Sequence, residues 1–236
     1  MTDPAALPGP SDVSPGDVVT EASRLQALAH PLRLRMLGLL RLEGPSTASR
    51  LAQRCQESSG LTSYHLRQLA AAGFVVDAEP ADLVGRDVHG RDRWWKAASQ
   101  LTFTRRPARG DEAQAAASED YHRAVVDLYA QRARAWLVAE HTWPQQWQAL
   151  SGLSDRVLRL SPAEVTALRA DLGALVTRYR QHDPAVAPGA GDVPADAVVV
   201  SLQYQLFPDP EQTPPEASSD DGAVGGEDTR ADGWRS

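Results

Sequence analysis

Apolar residues recur with helical spacing through the first third of the chain. The pattern predicts four helices, over residues 19–29, 31–43, 47–56 and 61–72. Pro31 suits the first turn of the second helix, and Gly73 is a typical stop signal after the fourth. The core face of the fourth helix is expected to hold Thr62, Leu66, Leu69 and Ala70.

Two strand-like segments follow the fourth helix. Residues 74–79 and 91–98 flank a turn-rich loop, which predicts a β-hairpin with basic residues along its second arm. Trp94 and Trp95 are expected on opposite faces, one in the core and the other against the following segment. Helices followed by a charged hairpin are typical of a winged helix-turn-helix domain.

The second half of the chain predicts a helical module. A long helix is expected over residues 111–142, and its end is marked by Pro144. The strand-like segments 154–160 and 196–207 flank another helix, which Ser161 opens with a capping box. This helix is expected to bury its apolar positions, Val165, Leu168, Leu172, Leu175 and Tyr179. The predicted fold class is mainly α with small β: a winged helix-turn-helix domain and then a helical module with a short β-α-β tail.

Shifts in composition divide the chain into four regions. Pro, Gly, Asp and Ser dominate residues 1–17 and 208–236, which predicts a disordered N-terminus and a disordered acidic tail. Residues 18–104 are predicted to form the DNA-binding domain. Residues 111–207 are predicted to form a helical module for dimerisation, with a candidate effector site. Apolar residues make up 42% of the chain, which is enough for a real core.

The location of the protein is predicted from what the sequence lacks. The first residues do not resemble a secretion signal, and no apolar run reaches the length of a membrane span. We therefore expect a cytoplasmic protein without a membrane partner. Cys55 is the only cysteine, so no internal disulfide forms, and we expect it to be a small buried apolar residue.

Charge is distributed unevenly along the chain. Residues 20–110 carry fourteen Lys and Arg against eight Asp and Glu, a net charge of +6. The remainder carries −13, which gives the overall net charge of −7. A basic domain joined to an acidic one is the electrostatic pattern expected of a DNA-binding protein, since phosphate neutralisation supplies most non-specific affinity.

The fourth helix presents a polar face opposite its core face. The candidate DNA contacts on it are Ser59, Gly60, Ser63, Tyr64 and Arg67. Small hydroxyl residues allow close approach to a groove floor, while the tyrosine and the arginine can reach bases or phosphates. Arg86, Arg91 and Arg93 of the hairpin are the other candidates, for contacts to the backbone or a narrow minor groove. An ordinary amphipathic surface helix is the alternative interpretation.

The segment SSGLTSYHLRQLAAAGFV closely resembles the recognition helix of ArsR-like winged-helix regulators, in their actinobacterial branch. The shared positions are Ser63, His65, Leu66, Leu69, Ala72, Gly73, Phe74 and Val75. LAHPLRLRMLGLL is similar to the second helix of that family, and GRDRWWKAA is similar to its wing. The resemblance covers about residues 20–100, and the segment from Leu158 to Pro208 is similar to the tail of the same branch. It implies a DNA-binding transcriptional regulator.

The sequence departs from the metal sensors of this family. One cysteine cannot supply the Cys-x-Cys site of arsenic and cadmium sensors. Asp120 and His122 match the first half of the zinc motif, but the second half falls on Ala133 and Trp136, which cannot be ligands. We therefore expect no metal and no cofactor. No arrangement of residues typical of catalysis is present, so we expect no enzyme activity, and His65 is expected to be a structural residue.

Aromatic residues are concentrated in the helical module. They are Tyr121, Tyr129, Trp136, Trp143 and Trp147. A hydrophobic core shared between two subunits is the first interpretation. A pocket for an apolar small-molecule effector is the second.

The sequence as a whole predicts a sequence-specific regulator of double-stranded DNA. We expect a homodimeric repressor, in which two recognition helices read half-sites about one helical turn apart. The helix over 111–142 and the first helix are the expected dimer surfaces. The alternative is a winged-helix module that binds a protein instead of DNA.

Overall fold

The computed structural model describes residues 18–19, 21–88, 92–100, 102–104 and 111–213. The chain divides into two units, residues 1–200 and 201–236. The helices are α1 Ala22–Ala29, α2 Pro31–Glu43, α3 Ala48–Cys55, α4 Ser59–Ala71, α5 Glu112–Ala139, α6 Gln145–Leu150 and α7 Pro162–Thr177. The strands are β1 Val18–Val19, β2 Ser46–Thr47, β3 Val75–Asp77, β4 Trp94–Ala97 and β5 Phe103–Thr104. Short 3₁₀ turns lie at Pro80–Leu83 and Glu140–Thr142.

The starts of the first-half helices follow from their capping residues. His30 Nδ1 accepts a hydrogen bond from the backbone N–H of Leu32 at the start of α2. Thr47 caps α3 and Ser58 caps α4 in the same way, through their hydroxyl oxygens. Gly73 follows α4 with a φ of 76°, the left-handed conformation that ends a helix at little cost for glycine. The predicted helices α2, α3 and α4 and the predicted stop are confirmed.

The first helix is shorter than predicted. Val18 and Val19 form a strand, β1, that pairs in parallel with β5, and α1 begins only at Ala22. Its N-cap is Glu21. A two-residue strand depends on a partner far along the chain, so helical periodicity could not reveal it.

The predicted hairpin is present. β3 pairs with β4 in antiparallel register, with Val76 opposite Lys96, and β2 pairs along the other edge of β4. Both tryptophans of β4 are buried. Trp95 joins the hydrophobic core, while Trp94 is covered by the guanidinium of Arg50 in α3, 4.7 Å above its ring. Trp95 takes the expected core position, and the packing of the other tryptophan on the following segment stays a prediction, because most of residues 99–110 lie outside the described ranges.

The core lies between the first four helices and the start of α5. Leu25, Leu28, Leu66 and Leu69 are fully buried, and each contributes roughly 1.5–3 kcal/mol on the scale of apolar burial. Cys55 is buried as expected. α1 packs more extensively on α5 than on any other element.

The long helix of the second half is confirmed, but it is buried along only part of its length. α5 reaches Ala139 and continues as a 3₁₀ turn to Thr142. Its buried residues all lie in the first half: Gln114, Ala117, Ser118, Tyr121 and Ala124. The second half exposes Val126, Leu137 and Val138. The core of the first half of the chain therefore extends to about the middle of α5.

The predicted β-α-β tail is wrong, although its helix is right. α7 begins at Pro162, and Ser161 and Glu164 form the expected capping box. Residues 154–160 form no strand. Residues 196–200 of the first unit and 201–207 of the second unit form none either. A strand requires a partner backbone, and none of the described residues offers one to these segments. α7 buries none of its apolar positions: Val165, Leu168 and Leu172 are half-buried, and Leu175 is exposed, as is Tyr179 just beyond the end of the helix.

The remaining described chain adds no further regular structure. Residues 201–213, the described part of the second unit, contain neither helix nor strand. None of the described helices combines the length and apolar character needed to cross a membrane.

Candidate nucleic-acid interface

The outward face of α4 is polar and accessible. Ser59, Gly60, Tyr64 and Arg67 are exposed, and Ser63 is half-buried. The opposite face is buried through Thr62, His65, Leu66 and Leu69. Ala70, expected on the core face, is half-buried, and His65 takes a place in the buried set. The two faces of α4 therefore divide as the sequence predicts, with one exchange.

A pocket of about 340 Å³ opens where α3, α4 and β4 meet. Four of the predicted DNA contacts line it: Ser59, Ser63, Arg67 and Arg93. Gly60 and Tyr64 lie on the same helix outside the pocket lining, and Arg91 lies outside the described residues. The geometry thus brings half of the predicted set, from two separate elements, to one concave surface.

The pocket also contains residues that the sequence interpretation missed. Thr47, Ala48 and Ser49 line it from the start of α3, and Asp92 and Trp95 line it from the hairpin. The sequence signal for the first group was the N-cap position of Thr47. The first backbone N–H groups of a helix have no acceptor within the helix and face outward from its end. Leu61, 40% exposed at the start of α4, was also missed.

Arginine side chains cap the C-termini of all four helices α1 to α4. Arg33 donates to the carbonyls of Gln26 and Ala27 in the last turn of α1. The carbonyl of Glu43 at the end of α2 accepts from Arg86 at 2.6 Å. The other two caps are Arg35 on Arg54 and Cys55 of α3, and Arg24 on Ala72 of α4. Cations at these positions satisfy orphan carbonyls and oppose the negative end of the helix dipole.

Most of the basic charge of residues 20–110 is therefore used inside the fold. Arg54 pairs with Glu43, Arg93 with Asp77, and Lys96 with Asp82. Arg41 donates to the Ser99 carbonyl, and Arg50 to the Asp87 carbonyl. Four cations, Arg91, Arg105, Arg106 and Arg109, lie outside the described residues.

Arg67 differs from every other described cation of this region. It is exposed on α4 and makes no hydrogen bond, ion pair or ring contact with any described residue. A guanidinium whose donors meet no described acceptor is suited to a phosphate or to the acceptor edge of guanine. This arginine lies beside the hydroxyls of Ser59 and Ser63 in the pocket.

The two hairpin arginines of the predicted set are engaged within the chain. Arg93 binds both carboxylate oxygens of Asp77, at 2.5 and 2.9 Å, and its guanidinium lies 3.9 Å from the Trp95 ring centre. The hydrogen bonds from Arg93 lower the pKa of Asp77, so the pair is charged at neutral pH. Both side chains are more than half exposed, so phosphate can compete for Arg93. Arg86, as the cap of α2, is not part of the pocket lining.

His65 is packed inside the domain, as expected of a structural residue. It is 4% exposed, and its ring lies 4.4 Å from that of His30, the capping residue of α2. Its Nδ1 has no hydrogen-bond partner among the described residues. Burial, and then the positive charge of His30 and Arg33, lowers the pKa of His65. The imidazole is therefore neutral at neutral pH.

The five aromatic residues proposed for an effector site do not share one pocket. Tyr121 is part of the core, where burial raises its pKa to about 12. Trp136 is four turns further along α5, roughly 22 Å away along the helix axis. Trp143 stacks edge-on with Trp136 at 5.7 Å and with Trp147 at 6.4 Å, and all three are half-buried. The tryptophans form a cluster of their own.

The residues that match half of a zinc motif are occupied by other contacts. His122 exchanges hydrogen bonds with the hydroxyls of Ser118 and Thr104, and Asp120 pairs with Arg123. Within the described ranges, no three His, Cys, Asp or Glu side chains come together as a metal site would require.

Comparison with known families addresses the same part of the chain. Residues 28–77 match a family model described as a helix-turn-helix domain. A comparison with curated proteins gave no match. The matched range runs from the end of α1 to β3 and includes α3 and α4, which line the pocket. The match supports a helix-turn-helix regulator.

Proposed function

We propose that this protein is a sequence-specific, double-stranded DNA-binding transcriptional regulator that inserts α4 into the major groove. The observation that carries the proposal is Arg67, a guanidinium on the exposed face of α4 that has no partner among the described residues and lies inside the matched helix-turn-helix region. Its neighbours in the pocket, Ser59 and Ser63, are small enough for the helix to approach base edges closely. The polar character of this face argues against a docking surface for a protein.

The finer identity of the domain is proposed on two grounds. The antiparallel hairpin of β3 and β4 follows α4 directly and contributes Arg93 to the pocket, as the wing of a winged helix would. The resemblance of α2, α4 and the hairpin to ArsR-like regulators points to the same architecture. The wing then contacts the phosphate backbone or the minor groove beside the site read by α4.

We further propose a homodimer that represses by covering its promoter. α1 uses its apolar face within the chain, since Leu25 and Leu28 are fully buried, so this helix is a poor dimer surface. The exposed Val126, Leu137 and Val138 favour the second half of α5 instead. The cluster of Trp136, Trp143 and Trp147 next to it would join the shared core. In this arrangement two copies of α4 read a pseudo-palindrome.

The proposal is tested by selecting genomic fragments on the purified full-length protein and measuring affinity for the best site by gel shift. Arg67→Ala is compared with Arg180→Ala, which removes the same charge from an exposed arginine paired with Asp192. We expect Arg67→Ala to weaken binding by about 1–3 kcal/mol and to relax specificity at one base position. Arg180→Ala should leave binding unchanged.

The salt dependence of the wild-type protein provides a second measurement. Affinity should fall steeply between two salt concentrations if phosphates are neutralised on binding. Failure to enrich any sequence at low salt would contradict the proposal and favour a protein partner. Equal losses for the two alanine variants would show that Arg67 contributes only net charge.

A further inference from the structure

The C-terminal end of α4 is held by one side chain of α1. Arg24 Nε donates to the Ala72 carbonyl at 3.1 Å, and its guanidinium lies 5.0 Å from the centre of the buried Phe74 ring. A Cβ built on Gly73 would lie 4.0 Å from the same guanidinium. Arg24 thus spans the residues where α4 ends and the chain turns into β3.

Arg24 is on the helix that also packs on the helical module. α1 makes its largest contact with α5, and the buried Ala117, Tyr121 and Ala124 of α5 belong to the same core as Leu25 and Leu28. α5 packs chiefly on α1 and α2 rather than on α4. If α5 moves, α1 is therefore the first element that has to move with it, and the DNA-binding face of α4 follows through α1.

Other arginine caps show what is particular to this contact. Arg33 and Arg35 of α2 cap α1 and α3, and Arg86 caps α2. Arg24 alone among these four caps α4, which carries Arg67. It also combines a hydrogen bond to Ala72 with a cation–π contact to Phe74, so one side chain contacts both the end of α4 and the start of the turn into β3.

We infer that Arg24 is a positioning residue for the DNA-binding face, and that it transmits displacements of α5 to α4 through α1. The expected effect on operator binding rests on the proposed DNA-binding function, whereas the contacts of Arg24 with Ala72 and Phe74 do not depend on it. Loss of Arg24 should let the end of α4 shift, so that Arg67 and the serines no longer meet their bases together. Contacts to phosphates tolerate such a shift better than base contacts do.

The first experiment compares full-length wild-type protein with Arg24→Met, Arg24→Lys and the charge control Arg180→Met. Affinity is measured for the selected operator and for a random duplex of equal length, at a temperature where circular dichroism shows every variant folded. We expect Arg24→Met to lower operator affinity about tenfold, the value of one hydrogen bond to a charged group, and random-duplex affinity by less than about twofold. Arg24→Lys should recover part of the loss, because an ammonium can also donate to Ala72.

Two results would overturn the positioning role. Equal losses for both duplexes would make Arg24 a phosphate contact, and an unchanged operator affinity would show that α4 does not need it. Amide hydrogen exchange gives a readout that does not need DNA: the amides of Gly73 and Phe74, bonded to Ala70 and Leu69, should exchange faster in Arg24→Met. If the wild type prefers no sequence but this exchange result holds, the proposed function fails and the positioning role stands.

The link to α5 is tested by a double-mutant cycle. Ala117→Val enlarges a fully buried residue of α5, and Ala124→Ser is a milder change in case the first variant does not fold. Either change should accelerate exchange at the end of α4 in the wild-type background and have little effect in Arg24→Met, since the contact is already lost. Equal acceleration in both backgrounds would refute transmission through Arg24.

Discussion

The buried His65 should make the domain unstable in mild acid. Its ring is 4% exposed, packs 4.4 Å from the His30 ring and has an Nδ1 without a partner among the described residues. Burial and the nearby His30 and Arg33 lower the pKa of His65, and burial and Arg33 lower that of His30. Protonation of His65 would bury a charge near the Arg33 guanidinium and the His30 ring, whereas the unfolded chain exposes the same charge to water.

The sign of the effect follows from proton binding. In the unfolded chain a histidine titrates near 6.5, so below that pH the unfolded state binds more protons than the native state. Between about pH 7 and 7.5 the free energy of unfolding should therefore be nearly constant, and it should fall as the pH drops below 6.5. One proton sets a maximum slope of about 1.4 kcal/mol per pH unit for His65. Asp77, Asp82 and Glu164 have lowered pKa values and act only at a more acidic pH.

The assay is urea unfolding followed by circular dichroism between pH 5 and 7.5, for the wild type, His65→Gln and His141→Gln. His141 is exposed on the 3₁₀ turn after α5 and provides a matched control. His65→Gln should make the pH dependence of the free energy of unfolding shallower and leave only the contribution of His30, while His141→Gln should keep the wild-type slope. A wild-type slope that persists in His65→Gln would refute the reasoning and assign the proton to another group.

Three further predictions concern stability and binding. Leu66→Ala leaves a cavity at a fully buried position of α4 and should lower the free energy of unfolding by about 2–5 kcal/mol. The same change at Leu137, which is 54% exposed, should lower it by less than about 0.5 kcal/mol. Both values are measured by urea unfolding of the monomer. Asp77→Ala removes the carboxylate that binds Arg93, so the non-specific affinity for DNA should rise. The slope of log affinity against log salt concentration should steepen by about one. An unchanged slope would show that Arg93 does not reach a phosphate. Gly60→Ala should raise the melting temperature, because a Cβ there meets no atom within 4 Å and alanine favours the helix. The same Cβ should weaken operator binding, because it would obstruct the DNA. Gly73→Ala should lower the melting temperature, because Gly73 has a φ of 76°.

The sequence predicted the features that local patterns encode. The helices of the first half have capping residues and apolar spacing within each segment, so α2, α3, α4 and the stop at Gly73 were predictable. The division of α4 into a core face and an outward face was predictable for the same reason. These features depend on residues a few positions apart.

Features that depend on distant partners were not predictable. The four arginine caps join residues as far apart as Arg24 and Ala72, and a count of basic residues cannot separate such caps from DNA contacts. The predicted +6 charge therefore overstated the number of available cations. The segments 154–160 and 196–207 have the composition of strands, but pairing requires a partner that composition does not supply. The guanidinium over the Trp94 ring belongs to Arg50, which lies in another element.

The outward side chains of α4 make few demands on the rest of the fold. Ser59, Ser63 and Arg67 make no side-chain hydrogen bond or ion pair to another element among the described residues, whereas Arg24, Arg33, Arg35 and Arg86 each bind the carbonyls at the end of a helix. Substitutions at the first three positions should change which DNA sequence is preferred without lowering stability. Duplicated genes could therefore diverge in their targets through single substitutions at these positions, while the arginines that stabilise the helices stay the same.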